Sequence, residues 1–185
     1  MKNRLVIFDC FGVIFEEIAV KFFNSHFSPE QAALLKDKFF VPADLGQITY
    51  DEIFENMEKE LNRKKEDILS EWNKLFIVKT QTIPYIRRVK EKADVVLLSN
   101  APLGLVEKLF EENNLTQLFD RMIISANVGL AKPDPEIYRL CVSSMEKEYD
   151  EIYMIDDSPK NLEPLPQLGI TPILFRSTED LELLC

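Results

Sequence analysis

Five polar residues of this 185-residue chain stand directly after short apolar runs. Asp9 closes "LVIF", Ser99 and Asn100 close "VVLL", and Asp156 and Asp157 follow "IYMI". A sixth, Lys132, stands a few residues beyond "MIIS". A carboxylate among so many apolar residues is costly to bury without a partner. Three aspartates brought together would also repel one another, and a hard divalent cation is their natural counter-charge. Mg²⁺ takes one or two carboxylates and completes its shell with waters and substrate phosphate oxygens. Lys132 and Ser99 would then hold the remaining phosphate oxygens, with Asn100 beside them. A carboxylate next to such a phosphate can attack phosphorus and form an aspartyl-phosphate, and Asp9 is the candidate nucleophile.

Bringing these residues together requires a sheet. The apolar runs at 5–8, 95–98, 122–125, 152–155 and 172–175 have the length and composition of buried strands. Segments 102–113 and 135–145 carry apolar residues at three- and four-residue spacing, so helices lie between the later strands. Pro135 after Asp134 is the order of an N-cap and a first helical position. Strand and helix alternate, which predicts an α/β fold with a doubly wound parallel sheet. Ligands of such sheets bind beyond the carboxyl ends of the strands, where all six residues fall.

One interval breaks the rhythm. Roughly 85 residues separate the first strand from the second, several times a normal crossover. The interval reads as helices over 15–27, from Ser28 and Pro29 through "SPEQAALLKDKFF", through "TYDEIFENMEKEL" and through "KKEDILSEWNKLF". Thr49 and Glu52 have the spacing of a capping box. Ile53, Phe54, Met57 and Leu61 fall on one face, so the helices should pack as a small bundle. The expected organisation is a core from 1–15 and 81–185, with an inserted helical cap over 16–80.

The formal charge of −10 argues against a nucleic-acid partner. A run of only four apolar residues leads into Asp9, too few for a signal peptide or a membrane span. Cys10, Cys141 and Cys185 are widely spaced and odd in number, which fits free thiols of the cytoplasm. The expectation is a cytoplasmic monomer or homodimer with no membrane partner.

"FDCFGVIF", "LLSNAP", "GLAKPDPEIY" and "MIDDSPKNL" resemble, in order, the four motifs of the haloacid dehalogenase-like hydrolase superfamily. The resemblance covers the chain, since that superfamily carries a helical cap between its first two motifs. It implies a Rossmann-like core with Asp9 as nucleophile. Mg²⁺ would be held by Asp9 and Asp157, with Asp156 beside them and the main-chain carbonyl of Phe11 as another ligand.

Phe11 departs from the pattern. Phosphatases of the superfamily usually carry Asp-x-Asp, and the second aspartate donates a proton to the leaving oxygen and then activates water. Such help is worth roughly 10²- to 10⁴-fold. Phenylalanine offers only its carbonyl, and alternation along the chain turns Cys10 away. "DCFGV" resembles the metal-independent 2-haloacid dehalogenases at this point, but "MIDDSP" suits a cation. The leading expectation is a Mg²⁺-dependent phosphatase of a small phosphorylated metabolite such as a sugar phosphate, like sugar-phosphate phosphatases that lack the second aspartate. The alternatives are a 2-haloacid dehalogenase and a phosphate-binding relative with weak turnover. His26, the single histidine, reads as a surface residue, and Trp72 as bundle core.

Overall fold

The computed structural model describes residues 3–185. Five strands, β1 (Arg4–Phe8), β2 (Asp94–Ser99), β3 (Arg121–Ile124), β4 (Glu151–Asp156) and β5 (Thr171–Leu174), form one parallel sheet. Its spatial order is β3-β2-β1-β4-β5, with Leu5 of β1 opposite Asp94 and Ile152. Alternate residues of β1 enter separate clusters. Val6 and Phe8 pack with Val95, Leu97 and Phe110, whereas Leu5 and Ile7 pack with Val96, Leu98 and Tyr138. Burial on both faces explains why each strand reads as an unbroken apolar run.

The connecting helices are α5 (Ile83–Lys92), α6 (Leu105–Glu112), the short α7 (Ser125–Val128), α8 (Pro135–Ser143) and the short α9 (Pro159–Leu162). Asp134 caps α8 through its bond from the Glu136 amide, as its place before Pro135 predicts. Two ends differ from the sequence pattern. The strand expected over 122–125 stops at Ile124, because Ser125 opens α7 and its hydroxyl accepts from the Ala101 amide at 3.0 Å. The helix expected from 102 starts at Leu105, since Gly104 at φ 73° turns the chain first.

Between β1 and β2 come α1 (Ile18–Asn24), α2 (Pro29–Asp44), α3 (Tyr50–Leu61) and α4 (Lys65–Asn73). Ser28 and Thr49 both close capping boxes, with Gln31 and Glu52. The four helices enclose a cluster of their own that includes Phe22, Phe23, Phe40, Phe54 and Trp72. Trp72 stacks on Phe40 with ring centroids 5.1 Å apart. Phe11, Tyr50 and Phe76 pack against both this cluster and the sheet's.

The expected helix over 15–27 is shorter at both ends. Phe15 is fully buried and pairs with Phe11 and Val78 in isolated bridges. Two connecting segments thus run side by side, tied by Glu16 N to Ile77 O at 2.9 Å and Lys79 N to Ile14 O at 2.7 Å. α2 instead runs further than its pattern. Pro42 lies inside it, and the helix continues to Asp44.

Candidate active site

The sheet's connection order reverses between β1 and β4, and the carboxyl ends of these two strands open a crevice there. Asp9 follows β1, and β4 ends on Asp156. Lys132 joins them from the loop after α7, its Nζ donating to Asp9 Oδ1 and to Asp156 Oδ2, both at 2.7 Å. The side chains of Lys132, Asp9 and Asp156 are 1%, 10% and 0% exposed. Taken alone, a loop lysine would be expected in solvent; here two carboxylates make its burial tolerable.

Each member is held by further bonds. The Cys10 amide donates to Asp9 Oδ1 at 2.7 Å. Asp156 accepts from the Ser158 amide at 2.9 Å, and Asn161 Nδ2 reaches its two oxygens at 3.0 and 3.1 Å. Asn100 grips Lys132 from both sides: its Nδ2 donates to the Lys132 carbonyl at 2.9 Å, and its Oδ1 accepts from the Lys132 amide at 2.8 Å. The side-chain amide expected to hold a phosphoryl group is therefore committed to positioning the lysine. Ser99 is fully buried behind the cavity wall, its hydroxyl 3.5 Å from the Asn100 carbonyl.

Charge is out of balance. Asp9, Asp156 and Asp157 each present an oxygen within 4.8 Å of the others, against one ammonium. Burial, then Asp156, push the Asp9 carboxyl well above the usual range, although Lys132 pulls the other way. Burial, then Glu17 and Asp156, push Asp157 up to about 6. Burial opposes the charge on Lys132, yet Asp9 and Asp156 outweigh it and hold the ammonium above its ordinary range. Burial, followed by Asp9, also keeps the Cys10 thiol protonated.

Asp157 leans over Gly12. A Cβ at Gly12 would stand 2.1 Å from Asp157 Oδ2, and its φ of 86° also favours glycine. Phe11 lies just before, half-buried, its ring 6.4 Å from that of Phe15. The bridge there is made by Phe15 N to Cys10 O and Gly12 N to Phe15 O, so it uses neither polar main-chain group of Phe11.

Above these groups is a cavity of about 420 Å³ that Asp9, Phe11, Asp157 and Asn161 help to line. The segment of α1–α4 supplies the rest of its wall through Glu17, just before α1, and through Lys36, Phe40, Asp44 and Trp72. Lys36, Phe40 and Asp44 recur every four residues and share one face of α2. Lys36 Nζ pairs with Glu17 Oε1 at 3.0 Å. Trp72, expected as core, is both core and wall. His26 is exposed outside the cavity, with Glu71 Oε1 at 2.5 Å and Arg63 at 3.2 Å.

The chain belongs to the haloacid dehalogenase-like hydrolases, whose family model matches residues 3–169. It is similar to a solved HAD family enzyme of Bacteroides thetaiotaomicron, with a TM-score of 0.79, 21% identity and coverage of 98% of this chain and 97% of that one. The same enzyme in complex with magnesium and inorganic phosphate gives a TM-score of 0.78 at 23% identity, over 98% of each chain. Among curated proteins, 61 residues are 43% identical to bifunctional epoxide hydrolase 2 of Sus scrofa, covering 33% of this chain but 11% of that protein. A phosphorylated carbohydrates phosphatase of Thermotoga maritima is 24% identical over 119 residues, 64% of this chain and 54% of that protein. Among the described residues no helix is long and apolar enough to cross a membrane.

Proposed function

We propose that this chain is a Mg²⁺-dependent phosphatase of small phosphorylated metabolites, with sugar phosphates as the substrate class. The observation that carries this reading is the excess of carboxylate over ammonium: three aspartates meet at one point beside a single buried lysine. The magnesium and phosphate held by the Bacteroides enzyme, and the substrate class in the name of the Thermotoga relative, support it.

The residues fit the ion. Their donors are hard oxygens, and Gly12 gives the Asp157 carboxylate room to approach. Asp9, Asp157 and the Phe11 carbonyl would hold Mg²⁺. Asp156, already engaged by Lys132, Ser158 and Asn161, would contribute charge and hold the lysine. Bound there, the ion supplies neutralisation of phosphoryl charge.

Both hydrogen bonds that the Asp9 carboxyl accepts, from the Cys10 amide and Lys132 Nζ, fall on Oδ1, which leaves Oδ2 to attack phosphorus. Lys132 orients Asp9 and offers charge to the transferring oxygens, while Asn100 fixes the lysine from behind. Ser99, packed behind the wall, supports Asn100. Helices α1–α4, within residues 16–80, act as a cap that excludes water and selects substrate.

The aromatic ring of Phe11 favours the 2-haloacid dehalogenase reading, and the fold is shared with solved L-2-haloacid dehalogenases. Halide displacement from carbon does not call for three convergent carboxylates, so phosphate transfer is the stronger reading. A panel of sugar and polyol phosphates with Mg²⁺ tests it. Phosphate release should stop with chelator and in Asp9→Asn; undiminished release in Asp9→Asn would refute the assignment, and chelator-insensitive halide release would favour the dehalogenase.

A further inference from the structure

The Phe11 ring cannot supply the proton that an alkoxide leaving group needs, and the helical side of the cavity holds a candidate. Asp44 is the last residue of α2, half-buried, and lines the same cavity as Asp9, Lys132 and Asp157. Among the described residues, no hydrogen bond or ion pair engages its carboxyl, which feels only the charges of Lys36, Glu17 and Lys132. Lys36, the nearest cation on its own helix face, is bonded to Glu17 instead. An unengaged carboxyl facing a reaction cavity is free to exchange a proton there.

We infer that Asp44 is the general acid and base of this site, taking from the cap side the task that Phe11 cannot perform. The inference rests on the phosphatase reading above. Asp9 Oδ2 forms a bond to phosphorus as the ester P–O bond breaks, and the departing oxygen takes the proton of the Asp44 carboxyl and leaves as an alcohol. The Asp44 carboxylate then takes a proton from water as that water's oxygen bonds to phosphorus. The P–O bond to Asp9 breaks, and inorganic phosphate, free Asp9 and protonated Asp44 result.

The environment suits the task. Burial pushes the Asp44 carboxyl up to about 7; Lys36 and Lys132 oppose that rise and Glu17 adds to it. A group titrating near neutral pH can serve as donor in one step and acceptor in the next. Its position also makes catalysis depend on the cap, since the donor reaches the ester only with the helices over the site.

The test compares Asp44→Asn with the parent enzyme, in Mg²⁺, on an alkyl phosphate and on p-nitrophenyl phosphate. The aryl leaving group departs without a proton, so its kcat/KM should fall less than about tenfold, against roughly 10²- to 10⁴-fold for the alkyl ester. Asp44→Glu should recover part of the alkyl activity. Alkyl turnover by the parent should fall above about pH 7, and that fall should be absent from the residual activity of Asp44→Asn. Equal losses on both esters, or no loss on either, would overturn the role of Asp44 while Mg²⁺-dependent turnover by the parent kept the phosphatase reading. A parent inactive on both esters would overturn both.

Discussion

Lys132→Met removes the cation between Asp9 and Asp156 while keeping most of the aliphatic stem. Both bonds are 2.7 Å long and all three side chains are almost wholly shielded from water. Removing one partner of such a buried arrangement leaves carboxylate charge uncompensated and typically costs about 3–5 kcal/mol. At about 2–4 °C per kcal/mol for a chain of this size, the melting temperature should fall by about 6–20 °C at pH 8. The loss should shrink toward pH 5. Asp9, already raised by burial, would be raised further without the lysine, and a carboxyl with a raised folded pKa contributes stability that is lost as pH rises. Mg²⁺ should restore part of it, about 2.7 kcal/mol when the ion is 100-fold above its dissociation constant. Differential scanning calorimetry at pH 5 and 8, with Mg²⁺ and with chelator, measures each quantity. A loss below about 1 kcal/mol, the size expected of an exposed ion pair, would show that Lys132 does not compensate buried charge on Asp9 and Asp156.

Gly12→Ala places a Cβ 2.1 Å from Asp157 Oδ2 and should weaken Mg²⁺ binding roughly tenfold or more by calorimetric titration; unchanged affinity would separate Asp157 from the ion. Asp44→Asn should raise stability at pH 8 while lowering activity. The parent's Asp44 ionises below pH 4 when unfolded but near 7 when folded, so its contribution is lost as pH rises between those values, by at most about 4 kcal/mol before water at this half-buried site reduces it. A urea titration at pH 5 and pH 8 should show the two proteins converging at the lower pH. Phe11→Asp introduced into Asp44→Asn should raise alkyl-phosphate turnover more than aryl turnover, and an equal effect on both would count against proton transfer from position 11.

The strands were legible because burial on both faces leaves unbroken apolar runs such as "LVIF", and the caps because Ser28, Thr49 and Asp134 stand where orphan helix amides need an acceptor. The polar groups at the strand ends were legible for the same reason: where an apolar run stops, the crevice begins. What each group touches was harder to read. The sequence does not say that Asn100 turns to the Lys132 backbone, nor that Asn161, five residues after Asp156, reaches back to it. Phe15 looks helical by periodicity, but sheet packing draws it into a bridge. Asp44 was hidden by Pro42, which ordinarily ends a helix; α2 continues through it, and only then does the spacing of Lys36, Phe40 and Asp44 become visible as one face.

If Asp9 is the nucleophile, turnover passes through a phosphoryl group bonded to Asp9 beside the clustered acids. Rapid acid quench of the enzyme with radiolabelled substrate, followed by peptide mass spectrometry, tests it most directly. Mg²⁺-dependent label should appear on the peptide containing Asp9 and be absent from Asp9→Asn. Product release during the quench with no labelled protein, or label on another residue, would contradict it.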